Sequence, residues 1–126
     1  MTGPVVADTN ALMMPVESDV RLFDELARVR GDATVLVPRP VVDELTKLAA
    51  GSGEPAAAAS VGLDLVDRCA VQPTEEAYAD DAVIELATRE DAPVVTNDRP
   101  LRDRLLDRGV RVIGLRGRNR LHVTQP

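Results

Sequence analysis

Aromatic side chains are almost missing from this chain: Phe23 and Tyr78 are the only two rings among 126 residues, and there is no tryptophan. So few rings argue against a nucleic-acid reader that stacks bases across a sheet of aromatics. Cys69 is the only cysteine, which excludes an internal disulfide or a cysteine-based zinc site and fits a reducing compartment. It is expected to be a small core residue. The single histidine, His122, lies near the end of the chain, and no catalytic part is expected of it. No uninterrupted apolar run approaches the roughly 18–20 residues of a membrane-spanning helix, and the first, from Pro4, has no basic segment before it. The chain therefore reads as soluble and cytoplasmic. Lysine is nearly absent too: Lys47 stands alone beside 14 arginines, while 13 Asp and 8 Glu bring the net charge to −6. An acid-rich, lysine-poor balance suits a protein kept soluble in high salt, hence a halophilic source, although a GC-rich genome alone also accounts for the arginine bias.

The charge is unevenly spread. Residues 1–98 carry 7 basic and 19 acidic side chains, net −12, whereas residues 99–126 carry 8 arginines against Asp103 and Asp107, net +6. That asymmetry points to a nucleic-acid contact near the C-terminus, and it equally describes a solvated helix face followed by a basic tail over 116–126. The length suits one domain spanning 1–126.

Five short Val-rich runs, Val5–Ala7, Thr34–Val37, Cys69–Gln72, Pro93–Thr96 and Val110–Leu115, alternate with helical patterns over about 17–29, 40–50, 55–68, 79–90 and 100–108. Such alternation predicts an α/β fold, a three-layer α/β/α sandwich around a central parallel sheet of about five strands. Pro40, Pro55 and Pro100 stand at expected helix starts, Gly109 at an expected stop, and "GSGEP" at 51–55 forms a loop between two helices.

Acids recur where this pattern delivers residues to one edge of the sheet. "VVADTN" runs the first strand into Asp8, and "VVTND" runs the fourth into Asp98; open α/β sheets place ligands beyond the carboxyl ends of their strands. In "PRPVVDELTKLA", at about 100° per residue, Val41, Leu45, Leu48 and Ala49 form an apolar face. Glu44 lies on its rim, and Asp43 points to solvent. In "YADDAVIELA", Asp80 shares the stripe of Val83, Ile84 and Ala87, with Asp81 the adjacent alternative. Taken singly, Asp8, Asp80, Asp81 or Asp98 also suits a helix cap or a first helical turn. Taken together, several carboxylates on one edge need a cation to offset their repulsion. Oxygen ligands without Cys or His favour Mg²⁺ or Mn²⁺ over Zn²⁺. Thr9, Asn10, Thr96 and Asn97 are suited to orient the carboxylates or the metal's waters.

These motifs, "VVADTN", "VVDEL", "ADDAVIELA" and "VVTND", in this order and along essentially the whole chain, resemble the PIN-domain nucleases. The resemblance implies an acidic quartet of Asp8, Glu44, Asp80 and Asp98 binding Mg²⁺ or Mn²⁺, and cleavage of single-stranded or structured RNA to leave a 5′-phosphate and a 3′-hydroxyl. It also implies a homodimer. "YADD" with "TND", and the ending "GVRVIGLR", look like the archaeal and eukaryotic PIN nucleases of ribosomal RNA processing. A small single domain equally suits the VapC toxins, which would bring an antitoxin partner rather than a ribosome-assembly partner. Because the acids would repel an RNA backbone, Arg99, Arg102, Arg116, Arg118 and Arg120 are the expected phosphate contacts. Two other classes compete: a catalytically silent RNA-binding or assembly module, and a phosphoryl-accepting signalling domain. The second would want a lysine after its last strand, and Lys47 lies on a helix instead.

Overall fold

The computed structural model describes residues 3–126. Along the chain run β1 (Val5–Ala7), α1 (Thr9–Glu17), α2 (Leu22–Arg30), β2 (Val35–Pro38), α3 (Arg39–Ala49), α4 (Gly53–Val66), β3 (Ala70–Gln72), α5 (Ala79–Glu90), β4 (Val94–Val95), α6 (Arg99–Asp107), β5 (Val112–Arg116) and β6 (Arg120–Thr124). The strands form one sheet in the order β3-β2-β1-β4-β5-β6. The first five are parallel, as Val-rich runs joined by helices require, and β6 is antiparallel to β5. The six helices flank the sheet in the expected α/β sandwich. No helix among the described residues is long and apolar enough to cross a membrane.

Two elements differ from the sequence expectation. The sheet has six strands and is mixed, because the segment expected as a basic tail over 116–126 turns back on itself. Arg116 faces Arg120 across the three residues 117–119, and Gly117 takes the left-handed conformation that so short a reversal favours (φ 70°). A Gly-bearing three-residue gap, "GRN", between "VIGLR" and "RLHV" is the available signal. The second difference is α1, where no helix was expected. Pro15 sits inside it and obscures the periodicity, and the helix expected over 17–29 is α2, starting at Leu22.

The open edge that β6 creates is partly closed by α2. Glu25 accepts a hydrogen bond from the Leu121 amide at 2.8 Å, and Arg28 donates to the Leu121 carbonyl while pairing with Glu25. Hydrogen bonding to Arg28, then to that amide, holds the Glu25 carboxyl down at about 2. Backbone groups that would otherwise invite another strand are thereby occupied.

The core follows the strands: Val5, Val6, Ala7, Val37, Val94, Val95, Val112 and Ile113 are completely buried. Cys69, expected in the third strand, immediately precedes it. It is half-buried against the core, its thiol pushed up to about 11 by burial. Gly62 on α4 governs how closely α4 approaches α1 and α3. A Cβ there would stand 3.0 Å from the Leu12 carbonyl oxygen and 3.2 Å from the Leu45 side chain. Since α1 follows Asp8 directly and α3 carries Glu44, this approach helps set the distance between two acids. Gly62→Val is expected to lower stability by about 2 kcal/mol through overpacking, read as a fall in the urea midpoint without a change in slope.

Candidate active site

Strand order reverses between β1 and β4. From β1 the chain proceeds through β2 to β3 on one side, and it returns to lay β4 and then β5 on the other. The crevice at such a switch point is where open α/β sheets receive ligands. Asp8 follows β1 immediately, and Thr96, Asn97 and Asp98 follow β4. The two strand ends are tied together, as Thr96 Oγ1 donates to Asp8 Oδ2, and the Asn97 amide donates to Asn10 Oδ1 at 3.0 Å. Thr96 Oγ1 also accepts the Asp98 amide at 3.0 Å, so one buried hydroxyl binds the Asp8 carboxylate and the Asp98 backbone.

Asp8 is the N-cap of α1, its Oδ1 accepting from the Ala11 amide at 2.7 Å. The capping role and the site role therefore coincide in one side chain. At 4% exposure it is nearly out of water, and desolvation raises its pKa to about 7. The hydrogen bonds from Thr96 and Ala11 oppose that rise, and the charges of Asp80 and Asp98 add to it.

Asp8 shares a pocket of about 310 Å³ with Glu44, Asp80 and Asp98. Thr9, Asn10 and Met13 form its α1 wall, and Leu48 and Tyr78 complete it. Asp80 is half-buried and raised in pKa by desolvation first, then by Asp98, Glu44 and Asp81, against the opposing charge of Arg104. Asp81 does not line the pocket. It is ion-paired with Arg104 of α6 at 2.8 Å, and this separates the two residues of the double acid. Glu44 is exposed at the rim, as the helical wheel required, and Asp43 is outside. Leu48, expected on the apolar face of α3, is instead 37% exposed beside Glu44.

The hydroxyl of Thr9 is buried without a hydrogen-bond partner. Of the four polar residues expected to orient the carboxylates, Thr96 bonds the Asp8 carboxylate, whereas Asn10 bonds only the Asn97 backbone amide and the Thr9 hydroxyl has no partner. As the side chains stand, no three His, Cys, Asp or Glu residues among the described residues are grouped closely enough to share one ion.

The arginines divide into two sets. Arg99 and Arg102 line a cavity of about 370 Å³ that shares Thr96 and Asn97 with the acidic edge and contains no acid of its own. The Arg102 Nε is buried there without an acceptor, while one of its terminal nitrogens reaches Asp103 at 3.4 Å. Arg116, Arg118 and Arg120 gather at the β5–β6 turn instead, and Arg120 lines a groove with Asp19 and Glu25. His122 is not in a tail but on β6, its Nδ1 against the Gly114 carbonyl at 3.2 Å, and it lines the arginine cavity.

Residues 5–118 match the sequence profile of a family described as a PIN like domain. This chain belongs to the PIN-like domain family. Its fold is similar to that of the PIN domain endonuclease Utp24, with a TM-score of 0.78 and 22% identity over 98% of this chain and 92% of that one. It is also similar to a VapBC2 structure from Rickettsia felis bound to a promoter DNA fragment (0.67, 13% identity, 90% of this chain and 99% of that one). A third likeness is to a domain of a functionally unknown protein from Methanocaldococcus jannaschii (0.68, 18% identity, 90% and 91%). No curated protein matches the chain in sequence.

Three pocket residues of this PIN-like domain escaped the sequence reading: Met13, on the α1 helix that was not expected, and the pair Tyr78 and Leu48. Both lie one helical turn or less from a quartet acid, Tyr78 as the N-cap of α5 and Leu48 one turn after Glu44. An acid whose pKa rises from 3.8 to about 7 on folding contributes most to stability below pH 4, and that contribution is lost as pH rises towards 7. Above pH 7 the fold therefore carries a buried charge. Asp8→Asn, which can still cap α1, is expected to raise stability in EDTA at pH 8 by about 1–2 kcal/mol, and to give no gain at pH 4, measured by thermal melts at the two pH values.

Proposed function

We propose that this PIN-like domain is a divalent-metal-dependent endoribonuclease of RNA processing, acting through Asp8, Glu44, Asp80 and Asp98. The observation that carries the reading is the convergence of four carboxylates from β1, α3, α5 and the end of β4 on one pocket, one of them buried at an energetic cost. The residues fit a hard cation. Their donors are all oxygens, Asp8 and Asp80 are raised first by desolvation and then by neighbouring carboxylates, and Thr9 offers an unpartnered buried hydroxyl. Glu44, exposed on its helix, has the rotamer freedom to turn inward. Mg²⁺ or Mn²⁺ bound there would lower the pKa of a water and offset charge on the scissile phosphate.

The protein's own part is positional. Ala11 and Thr96 each hold one oxygen of Asp8, so that carboxylate presents its remaining lone pairs in one orientation. Thr96 carries the same constraint to Asp98 through its backbone amide. Beside the acids, the cavity of Arg99 and Arg102 offers an anion site for the next phosphate of the strand, and the unpaired Arg102 Nε is a donor waiting for an oxygen. At the β5–β6 turn, Arg116 and Arg120 stand directly opposite each other. Like charges so placed are destabilising, and a passing phosphate backbone would relieve them.

The VapBC2 likeness makes a toxin ribonuclease with a protein antitoxin the second reading; a small overlapping upstream gene would favour it, and absence of one favours processing. Labelled structured RNA incubated with Mn²⁺, Mg²⁺ or EDTA, at low and molar salt, tests the main reading. Cleavage is expected only with metal and is expected to fall at least a hundredfold in Asp8→Asn. Equal inactivity of both folded proteins in every metal would sink it and leave the silent binding or assembly module. For the arginine cavity, Arg99→Gln with Arg102→Gln is expected to weaken RNA binding in EDTA irrespective of sequence. It should also flatten the slope of log Kd against log salt by about 1 per lost phosphate contact, followed by filter binding across a salt series.

A further inference from the structure

Aromatic rings are scarce here, and the two present are treated oppositely. Phe23 packs against the core with the Arg68 guanidinium 3.9 Å from its centroid. Tyr78 is left 65% exposed on the acid pocket. Among the described residues four large apolar side chains are exposed, namely Val16, Leu48, Tyr78 and Val123, and two of these four line that one pocket. An exposed ring and an exposed aliphatic side chain on one acid-lined pocket offer an apolar face to whatever enters it.

The segment bearing Tyr78 is also well tethered. The Glu85 carboxylate accepts the amides of Glu75 at 3.0 Å and Glu76 at 2.9 Å, Arg89 donates to the Pro73 carbonyl at 3.1 Å, and the Tyr78 carbonyl opens α5 by accepting the Ala82 amide at 2.9 Å. The ring thus stands in solvent on a segment fastened to α5 in three places, two residues before Asp80.

We propose that Tyr78, with Leu48 beside the same pocket, is a positioning residue that stacks on an unpaired nucleobase of single-stranded RNA and so sets the adjoining phosphate over the four acids. The inference deepens the ribonuclease reading and rests on it for the identity of the strand. A flat ring accepts any base, because every base has a π-face, and only an unpaired or splayed base leaves that face free. The specificity created is for single strands over duplex, with little preference among bases. A single exposed aromatic at the reacting edge achieves this without the sheet of aromatics that the composition argues against.

The chain has one tyrosine and no tryptophan, so its intrinsic emission on excitation near the tyrosine band reports on Tyr78. In EDTA at low salt, a short single-stranded oligoribonucleotide is expected to quench that emission as it binds, while an abasic oligonucleotide of equal charge binds without comparable quenching. By anisotropy of labelled RNA, Tyr78→Ala should raise Kd roughly tenfold, and Tyr78→Phe should restore it to within about twofold, since the stacking face is kept. With metal, the Ala variant should raise KM more than it lowers kcat. Binding without quenching, equal quenching by duplex, no binding at all, or an Ala variant as tight as wild type would each overturn the inference. Quenching without any metal-dependent cleavage would overturn the ribonuclease reading alone, and cleavage without quenching would overturn the role of Tyr78 alone.

Discussion

The parallel pairing of β1 with β4 is the constraint on which the rest of this molecule depends. Val6 lies opposite Val94 and Ala7 opposite Val95, so the residues that follow each strand emerge side by side at the one point where the order of the sheet reverses. Both strands are completely buried, so a slip in either would draw a following polar residue, Asp8 or Thr96, into the core in place of an apolar one. The register that protects the core therefore also sets Asp8 beside Thr96, and through Thr96 it sets Asp98. Hydrophobic burial supplies the precision, and the polar residues are carried to their places by it.

Asp8 shows what that placement costs. A carboxylate at the end of a buried strand loses its water, and its two hydrogen bonds do not make up the loss, since the net shift is upward. Proteins retain such groups where chemistry needs a rigid charge and stability can be given up. The cap on α1 recovers part of the loss. It also explains why α1 begins at Thr9, directly against the sheet edge, with no intervening loop in which the acid would wander. Asp81 is the contrast: one residue from Asp80, it meets Arg104 and is neutralised as an ordinary surface pair.

At the other end of the sheet the edge problem is answered differently. Once Gly117 lets the chain reverse, β6 completes the sheet and leaves a free edge, and the Glu25–Arg28 pair on α2 occupies the Leu121 backbone groups there. The same reversal lifts His122 into the wall of the arginine cavity and gathers Arg116, Arg118 and Arg120 at one turn. A run that reads as a basic tail is in fact paired with β5 over five residues.

The sequence by itself determined the α/β class, the five parallel strands, four of the six helices to within a few residues, and that acids follow the first and fourth strands. Those features depend on local period and composition: Val-rich runs, helical spacing around Glu44 and Asp80, and prolines near helix starts. Tertiary structure alone decided the α1 helix across Pro15, the diversion of Asp81 to Arg104, and the exposure of Tyr78 and Leu48 on the acid pocket. Each of these is an outcome of competition between partners distant in sequence. Periodicity in a single segment records which face of an element is apolar; it does not record whether the opposing surface covers that face or leaves it open to a ligand.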